Sequence, residues 1–305
     1  MRYLSILLLF AAMVSPANMA RAETFHVILA LSDSSVPYQQ FSAAFNQALA
    51  ASKIDVTVVK SPIDKKIRAD LIVAVGMKAT ESAMAHPDAP LLGVMIPKMG
   101  YELLIARYPE KNKPGSISAI YLDQPWERQL DFIRAALPGR EKIGLLHSPD
   151  THMDFAALRR NVSERNLSLS ARPVRSAEKL FPDLDEILGD IDVLLAIPDS
   201  TIYNSNNVRN ILLTSYRHKV PLIGISQAYV NAGAICAIFS TPEQLAGQAA
   251  EMAVLFARNK NFPPPQYPMQ FDIALNQQVA RSLGIALDTA ETIRERMSKA
   301  GEEKR

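Results

Sequence analysis

The chain has 305 residues, with 33 Lys and Arg against 31 Asp and Glu, five histidines and one cysteine. Because the charges nearly balance, the composition gives no sign of nucleic-acid binding, which needs a strongly basic surface. One cysteine excludes an internal disulfide, and no Cys and His cluster has the spacing of a metal site. The length exceeds a comfortable single hydrophobic core and therefore predicts two domains.

Residues 1–22 have the layout of a secretory signal peptide. A basic start is followed by a mostly apolar run from Leu4 to Val14 and by the small-x-small site Ala20-Arg21-Ala22. This run is too short to span a bilayer, so we expect cleavage before Glu23 and no membrane insertion; a membrane anchor is the alternative. Cys236 lies too deep in the chain to carry a lipid. The predicted location is the periplasm.

Short apolar runs alternate with longer amphipathic segments along the chain, which is the α/β pattern. Continuous apolar strands are typical of parallel sheets, whose strands are buried on both faces. In the first half, the pattern predicts strands at Phe25–Leu31, Ile54–Val59, Leu71–Val75 and Leu91–Ile96, with helices at about Tyr38–Ala50 and Lys78–Ala85. In the second half, it predicts strands at Ile143–His147, Ser168–Val174, Val193–Ile197 and Leu222–Ile225, with helices at about Asp154–Glu164, Glu178–Leu188 and Asn206–Arg217.

The two halves repeat one another. Asp70–Gly76 aligns without a gap on Asp192–Pro198, and Pro90–Gly93 later corresponds to Pro221–Gly224. A chance likeness between any two α/β strands is the alternative for each pair. The shared order of elements favours two similar lobes.

Candidate ligand-binding residues follow from this repeat, because parallel sheets bind ligands at the carboxyl ends of their strands. Helix N-termini lie at the same ends and attract anionic groups such as a carboxylate. Two turns after corresponding strands should therefore face each other across a cleft. Their residues are Gly76, Met77, Lys78, Ala79 and Thr80 in the first half, and Asp199 and Ser200 in the second.

The sequence does not decide whether each of these residues contacts a ligand or has a structural role. Asp199 offers a negative charge for an ammonium group, and capping the following helix is an equal alternative. We expect Thr80 to be structural. Tyr38 could stack on a ligand or pack within its helix. Ser34, Ser226 and Gln227, which also follow predicted strands, are further candidates.

Several stretches of the chain from Arg68 onward resemble a known family. They are Asp70–Gly76, Gln129–Ile133 running to Leu137-Pro138, Lys142–Leu146, Pro198–Ser200, Val220-Pro221, Gly233-Ala234, Gly247–Ala253, and Asn276 with Ala280 and Leu283–Ile285. In order and approximate spacing they are similar to the ABC transporter substrate-binding family that includes tryptophan- and tyrosine-binding lipoproteins, a branch of the type I periplasmic binding fold. The resemblance implies an α/β fold with two doubly wound parallel-sheet lobes joined by a three-crossing hinge.

The same resemblance implies where the chain passes between the lobes. The crossings would lie near Asp123, Ser240 and Tyr267, and the helix Thr241–Ala257 would return to the first lobe. Lobe I would then contain residues 23–123 plus 240–266, and lobe II residues 124–239 plus 267–305.

The resemblance also bears on the ligand cleft. It implies that the turns at Gly76–Thr80 and Asp199-Ser200 line the cleft, with Ser226-Gln227 near the second crossing. The chain departs from the family at Ile96–Gly100, where a threonine- or aspartate-proline turn is usual. Lys78 stands where a small residue is usual, and its charge would favour a more acidic or larger solute.

The sequence favours a binding protein over an enzyme. Gly224–Ala228 faintly resembles a nucleophile elbow, but an α/β-hydrolase needs its histidine after the serine, and all five histidines precede Ser226. Neither a phosphate-binding loop nor a dinucleotide fingerprint is present in the sequence. We therefore expect a binding protein without cofactor or metal, and we expect it to be a monomer. The family resemblance implies that it delivers a small, amino-acid-like molecule to an ABC permease in the inner membrane. A sensory or accessory protein that docks on a receptor is the alternative.

Overall fold

The computed structural model describes residues 24–302 apart from residues 65, 67, 87, 88, 151 and 152, so the predicted signal peptide lies outside the described residues. The strands are β1 Phe25–Leu31, β2 Ile54–Lys60, β3 Leu71–Val75, β4 Leu91–Ile96, β5 Ile117–Tyr121, β6 Lys142–His147, β7 Ser168–Pro173, β8 Val193–Leu195, β9 Leu222–Gly224, β10 Cys236–Phe239 and β11 Asp272–Leu275. The helices are α1 Val36–Leu49, α2 Met77–Met84, α3 Lys98–Arg107, α4 Trp126–Ala136, α5 Phe155–Ser163, α6 Leu180–Leu188, α7 Val208–Arg217, α8 Gln227–Ala232, α9 Pro242–Asn259, α10 Gln277–Ser282 and α11 Ala290–Glu302.

The first sheet is parallel and has the strand order β2-β1-β3-β4-β5. Its central strand β3 is buried along its whole length, which explains its continuous apolar sequence. Apolar side chains of α1 and α9 form one core with this sheet, and those of α2 and α3 form another. We call the first sheet with these four helices the first lobe.

The second sheet has the order β11-β10-β9-β8-β6-β7. The sheet is parallel, as predicted, except at one edge, where β11 pairs antiparallel with β10, with Phe239 opposite Asp272. β10 ends where the chain leaves this sheet, and β11 begins where the chain returns to it. The chain returns to the sheet at the same edge at which the parallel strands end, so β11 must run in the opposite direction to them. This sheet, with α4 to α8, α10 and α11, is the second lobe.

Hydrogen bonds join the three connections between the lobes to one another. Gln124 in the first connection donates from Nε2 to Ser240 Oγ in the second, at 2.9 Å. Ser240 Oγ donates in turn to the carbonyl of Gln270 in the third connection, at 2.5 Å. Arg128 bonds to Gln124 Oε1 at 2.6 Å and to the carbonyl of Pro268 at 2.9 Å. The predicted α/β fold with two lobes and a three-crossing hinge is therefore confirmed, while the exact residue boundaries of the lobes stay a prediction.

Within residues 24–302, with the gaps given above, no helix combines the length and the apolar character that a bilayer crossing requires.

Candidate ligand-binding site

A cavity of about 320 Å³ lies between the lobes, beside the three connections. We call it the interlobe cavity. Its volume is at the lower end of the range for small-molecule pockets. The first lobe and the connections contribute Lys98, Met99, Glu102, Asp123, Gln124 and Tyr267, and the second lobe contributes Trp126, Glu127, Gln129, Met153, Asp154, Ala157, Asn161, Ile197 and Pro198.

Three helices begin at the interlobe cavity. Lys98, Trp126 and Phe155 are the first residues of α3, α4 and α5, and side chains of the first turns of these helices line the cavity. Asp154 caps α5, because its Oδ1 accepts a hydrogen bond from the backbone N–H of Ala157 at 2.8 Å. The positive ends of three helix dipoles therefore converge on one space, and they would attract a carboxylate of a ligand.

Asp123 and Lys98 form the charged centre of the cavity wall. The backbone N–H of Lys98 donates to Asp123 Oδ2 at 2.6 Å. Burial raises the pKa of Asp123 to about 6, although this hydrogen bond and the Lys98 charge oppose the shift. For Lys98, burial acts to lower the pKa, but the neighbouring Tyr267, Glu102 and Asp123 raise it overall. Lys98 therefore stays charged. Asp123 lies in surroundings in which its ionised form is less stable than it would be in water.

Gln129 on α4 brings an unmet hydrogen-bond acceptor to the cavity wall. The residue is 6% exposed, and its Oε1 has no hydrogen-bond partner among the described residues. A buried acceptor without a donor costs about 1–3 kcal/mol. A donor group in the cavity is one way to meet this need.

A buried ion pair supports another wall of the cavity. The Arg165 side chain is 3% exposed, and its Nε lies 2.8 Å from Asp131 Oδ1. A second guanidinium nitrogen of Arg165 donates to Asn161 Oδ1 at 3.2 Å. The pair therefore joins α4 to α5 and fixes the side chain of Asn161, which lines the cavity.

The predicted turn after β3 is held by bonds within the first lobe. Gly76 has a φ of +86°, and Ala79 donates its backbone N–H to Ser32 Oγ at 3.0 Å. Thr80 is fully buried and donates from Oγ1 to the carbonyl of Gly76 at 2.9 Å. In the same turn, Met77 is half-buried and Lys78 is exposed. Tyr38 is half-buried with its hydroxyl beside Gly76, and Ser34 is exposed.

Asp199, predicted to face that turn, ties two loops of the second lobe together. It is 5% exposed; its Oδ2 accepts from the backbone N–H of Ser148 at 2.7 Å and its Oδ1 from that of Thr201 at 3.0 Å. Its neighbour Ser200 is exposed.

Ser226 and Gln227 lie at the start of α8. Ser226 is half-buried, whereas Gln227 is exposed and donates to Asn231 Oδ1 at 2.9 Å.

Of the predicted site residues, all of which the structure describes, none lines the interlobe cavity. Their role as ligand contacts stays a prediction. Sequence reasoning missed the first turns of α3 and α4 as cavity walls. The signal for α3 was the unusual segment Ile96–Gly100, and the signal for α4 was the family-like stretch Gln129–Ile133. Pro198, which precedes the predicted Asp199, does line the cavity.

Solved structures show the same fold at low sequence identity. The ligand-free, open structure of a substrate-binding protein with adhesive properties from Clostridium difficile matches with a TM-score of 0.68 and 16% identity, covering 88% of this chain and 97% of that chain. The ABC domain in complex with L-Trp from Streptococcus pneumoniae matches with a TM-score of 0.65 and 16% identity, covering 90% and 98%. A conserved domain protein from Vibrio cholerae matches with a TM-score of 0.65 and 15% identity, again covering 90% and 98%. At these identities the likeness establishes the fold.

The family is established by the sequence. A search of curated proteins returned no match to the chain. Residues 15–301, however, match the family described as ABC transporter substrate binding protein. Because the match spans nearly the whole sequence, the chain belongs to the ABC transporter substrate-binding protein family, whose fold and role are those of solute-binding proteins.

Proposed function

We propose that this protein captures one small, amino-acid-like molecule in the interlobe cavity and delivers it to an ABC permease of the inner membrane. The observation that carries the proposal is the cavity itself, which has walls from both lobes and lies beside the connections that join them. A protein of this family with a signal-like N-terminus would act in the periplasm, and we propose that it is neither lipidated nor an enzyme.

The chemistry of the wall suits both ends of an amino-acid-like molecule. Lys98 and the N-termini of α3, α4 and α5 favour a carboxylate, whereas Asp123 and the unmet acceptor of Gln129 favour an ammonium group. Trp126 and Ile197 offer apolar surface to the rest of the molecule.

Binding between two lobes gives the ligand a means of changing the shape of the protein. A ligand that contacts both walls binds the closed arrangement more tightly than the open one, so it shifts the population toward closure. The permease would recognise the closed form. The hydrogen bonds among the three connections keep the lobes in register while the angle between them changes.

Trp126 provides a direct test, because it is the only tryptophan of the sequence and lines the cavity. We expect at least one member of a metabolite panel to change its fluorescence and to raise the melting temperature. The variant Ala157→Trp, which fills the cavity, should abolish the rise in melting temperature. A ligand that stabilises this variant as strongly as the wild type would contradict the proposed site.

The alternative site at the predicted turns is tested by Asp199→Ala. Equal stabilisation of this variant and the wild type by the ligand would show that Asp199 is not a ligand contact. The permease role is tested by uptake: loss of this protein and loss of the permease should each abolish uptake of the identified ligand. A receptor-docking protein would leave uptake unchanged.

A further inference from the structure

The interlobe cavity has an excess of negative charge that points to the class of its ligand. Among the described residues that line it, carboxylates outnumber ammonium groups: Glu102, Asp123, Glu127 and Asp154 stand against one lysine, Lys98. We infer that the ligand is an organic cation, with an amine or guanidinium head group and an apolar body. This inference rests on the proposed function and specifies the ligand of the same site.

Lys98 does not balance the carboxylates, because its own interactions are already made. Its ammonium Nζ lies 3.8 Å from Glu102 Oε1. The same Nζ lies 5.7 Å from the centroid of the Tyr267 ring. Lys98 and the N-termini of α3, α4 and α5, each equivalent to about half a positive charge, together offset less charge than the four carboxylates carry, so the wall as a whole attracts a cation.

Gln129 gives an independent reason for a ligand with N–H donors. Its side-chain Oε1 is buried and has no partner among the described residues, so it needs a donor. An ammonium or guanidinium group carries only donors, whereas a carboxylate carries only acceptors. An anionic head group would therefore leave this oxygen unmet.

Asp123 adds a third argument from its surroundings. Burial raises the pKa of this carboxyl group to about 6, so ionisation costs more in the ligand-free protein than it does in water. A cation in the cavity would stabilise that ionised form. Trp126 lines the same cavity, and an indole ring attracts cations through its face.

The experiment compares probes that share one body and differ in charge. The first series is phenethylamine, phenylalanine and hydrocinnamate, and the second is cadaverine, lysine and norleucine. None of these probes contains an indole, so the fluorescence of Trp126 reports binding without interference. Titrations at neutral pH and low salt should show each amine binding about tenfold or more tightly than the net-neutral probe of its series. Hydrocinnamate should give no measurable binding.

Variants locate the effect in the cavity. Asp123→Asn keeps an acceptor for the N–H of Lys98, and Gln129→Met removes the unmet oxygen while keeping the side-chain length; each should weaken amine binding about tenfold. Glu127→Gln alters an exposed residue, so it should fold normally and still weaken amine binding severalfold. Asp190→Asn removes an exposed charge away from the cavity lining and should leave binding unchanged.

The outcomes separate this inference from the proposed function. Tighter binding of phenylalanine, norleucine or hydrocinnamate than of the matching amine would overturn the inference and leave the proposed function standing. Binding of a panel ligand without binding of either amine would also overturn the inference and leave the proposed function standing. Absence of binding in both the probe series and the metabolite panel would contradict both.

Discussion

Replacing Gly76 by alanine tests why the turn after β3 needs a glycine. Gly76 has φ +86° and ψ 168°, a region that costs other residues about 1–3 kcal/mol. A Cβ there would lie 2.5 Å from Tyr38 Oη and 2.6 Å from Ser32 Oγ, and overpacking of this kind costs about 1–3 kcal/mol. Gly76→Ala should therefore lower the free energy of unfolding by about 2–6 kcal/mol.

Gly139→Ala is the matched control, because Gly139 has a similar φ of +81° but nothing within 4 Å of an added Cβ. It should cost about 1–2 kcal/mol, from the backbone conformation alone. Urea denaturation of each variant measures these losses. Tyr38→Phe removes the nearest atom, so combining it with Gly76→Ala should recover about 0.5 kcal/mol or more relative to additivity. Equal losses at the two glycines, together with a purely additive double variant, would refute the crowding argument.

Three further predictions concern the cavity wall and the hinge. Because folding raises the pKa of Asp123 to about 6, its contribution to stability is fully present below about pH 4 and is lost as the pH rises to about 6. Asp123→Asn should therefore stabilise the ligand-free protein by about 1–2 kcal/mol at pH 7, after allowance for the partial exposure of the side chain. Near pH 4 the substitution should give no gain in stability. Denaturation curves that show the same gain at both pH values would contradict this prediction. Ser240→Ala removes both bonds of the hinge serine and leaves Nε2 of the buried Gln124 without its acceptor. The free energy of unfolding should therefore fall by about 1–3 kcal/mol, and X-ray scattering should show a wider range of lobe separations. Arg165→Met should cost about 3–5 kcal/mol because the Asp131 carboxylate loses its buried guanidinium, and adding Asp131→Asn should restore part of that loss; an unchanged denaturation midpoint in the single variant would rule out the ion pair as a support of this wall.

The sheets were predictable because burial on both faces leaves a local signal. Leu71–Val75 is apolar at every position and forms β3 with the predicted ends. Phe25–Leu31 and Leu91–Ile96 are likewise observed as predicted. β8 ends at Leu195 instead of the predicted Ile197, because the chain turns away there toward the Asp199 loop.

Helices and strands that depend on contacts with distant parts of the chain have little signal in their own sequence. No helix was predicted at Lys98–Arg107, whose sequence starts with a lysine and contains Gly100 in its first turn. The structure explains the glycine, because a Cβ at this position would lie 2.5 Å from Met77 Sδ of α2. β11 has only four residues, and its direction follows from the third connection and not from its own sequence.

The interlobe cavity was not predictable for the same reason. Its wall combines segments near Lys98, Asp123, Asp154 and Tyr267, which are far apart in the chain and meet only through the three connections. The ends of the strands predict which edge of each sheet faces the cavity. They do not predict which loops form the cavity wall at that edge. The unusual Ile96–Gly100 segment was the local clue, since it leads directly into the first turn of α3.

Two neighbouring residues of the first connection join the cavity to the hinge. Asp123 lines the cavity, while the side chain of Gln124 bonds to Ser240 in the second connection. A ligand that binds Asp123 therefore acts one peptide bond away from the hydrogen bonds that fix the crossings. We propose that ligand binding at Asp123 alters these bonds; because such coupling is reciprocal, removing the hinge bonds should then change ligand affinity by the same free energy. The position of Asp123, and not only its charge, thus makes it the residue through which a bound cation would favour closure.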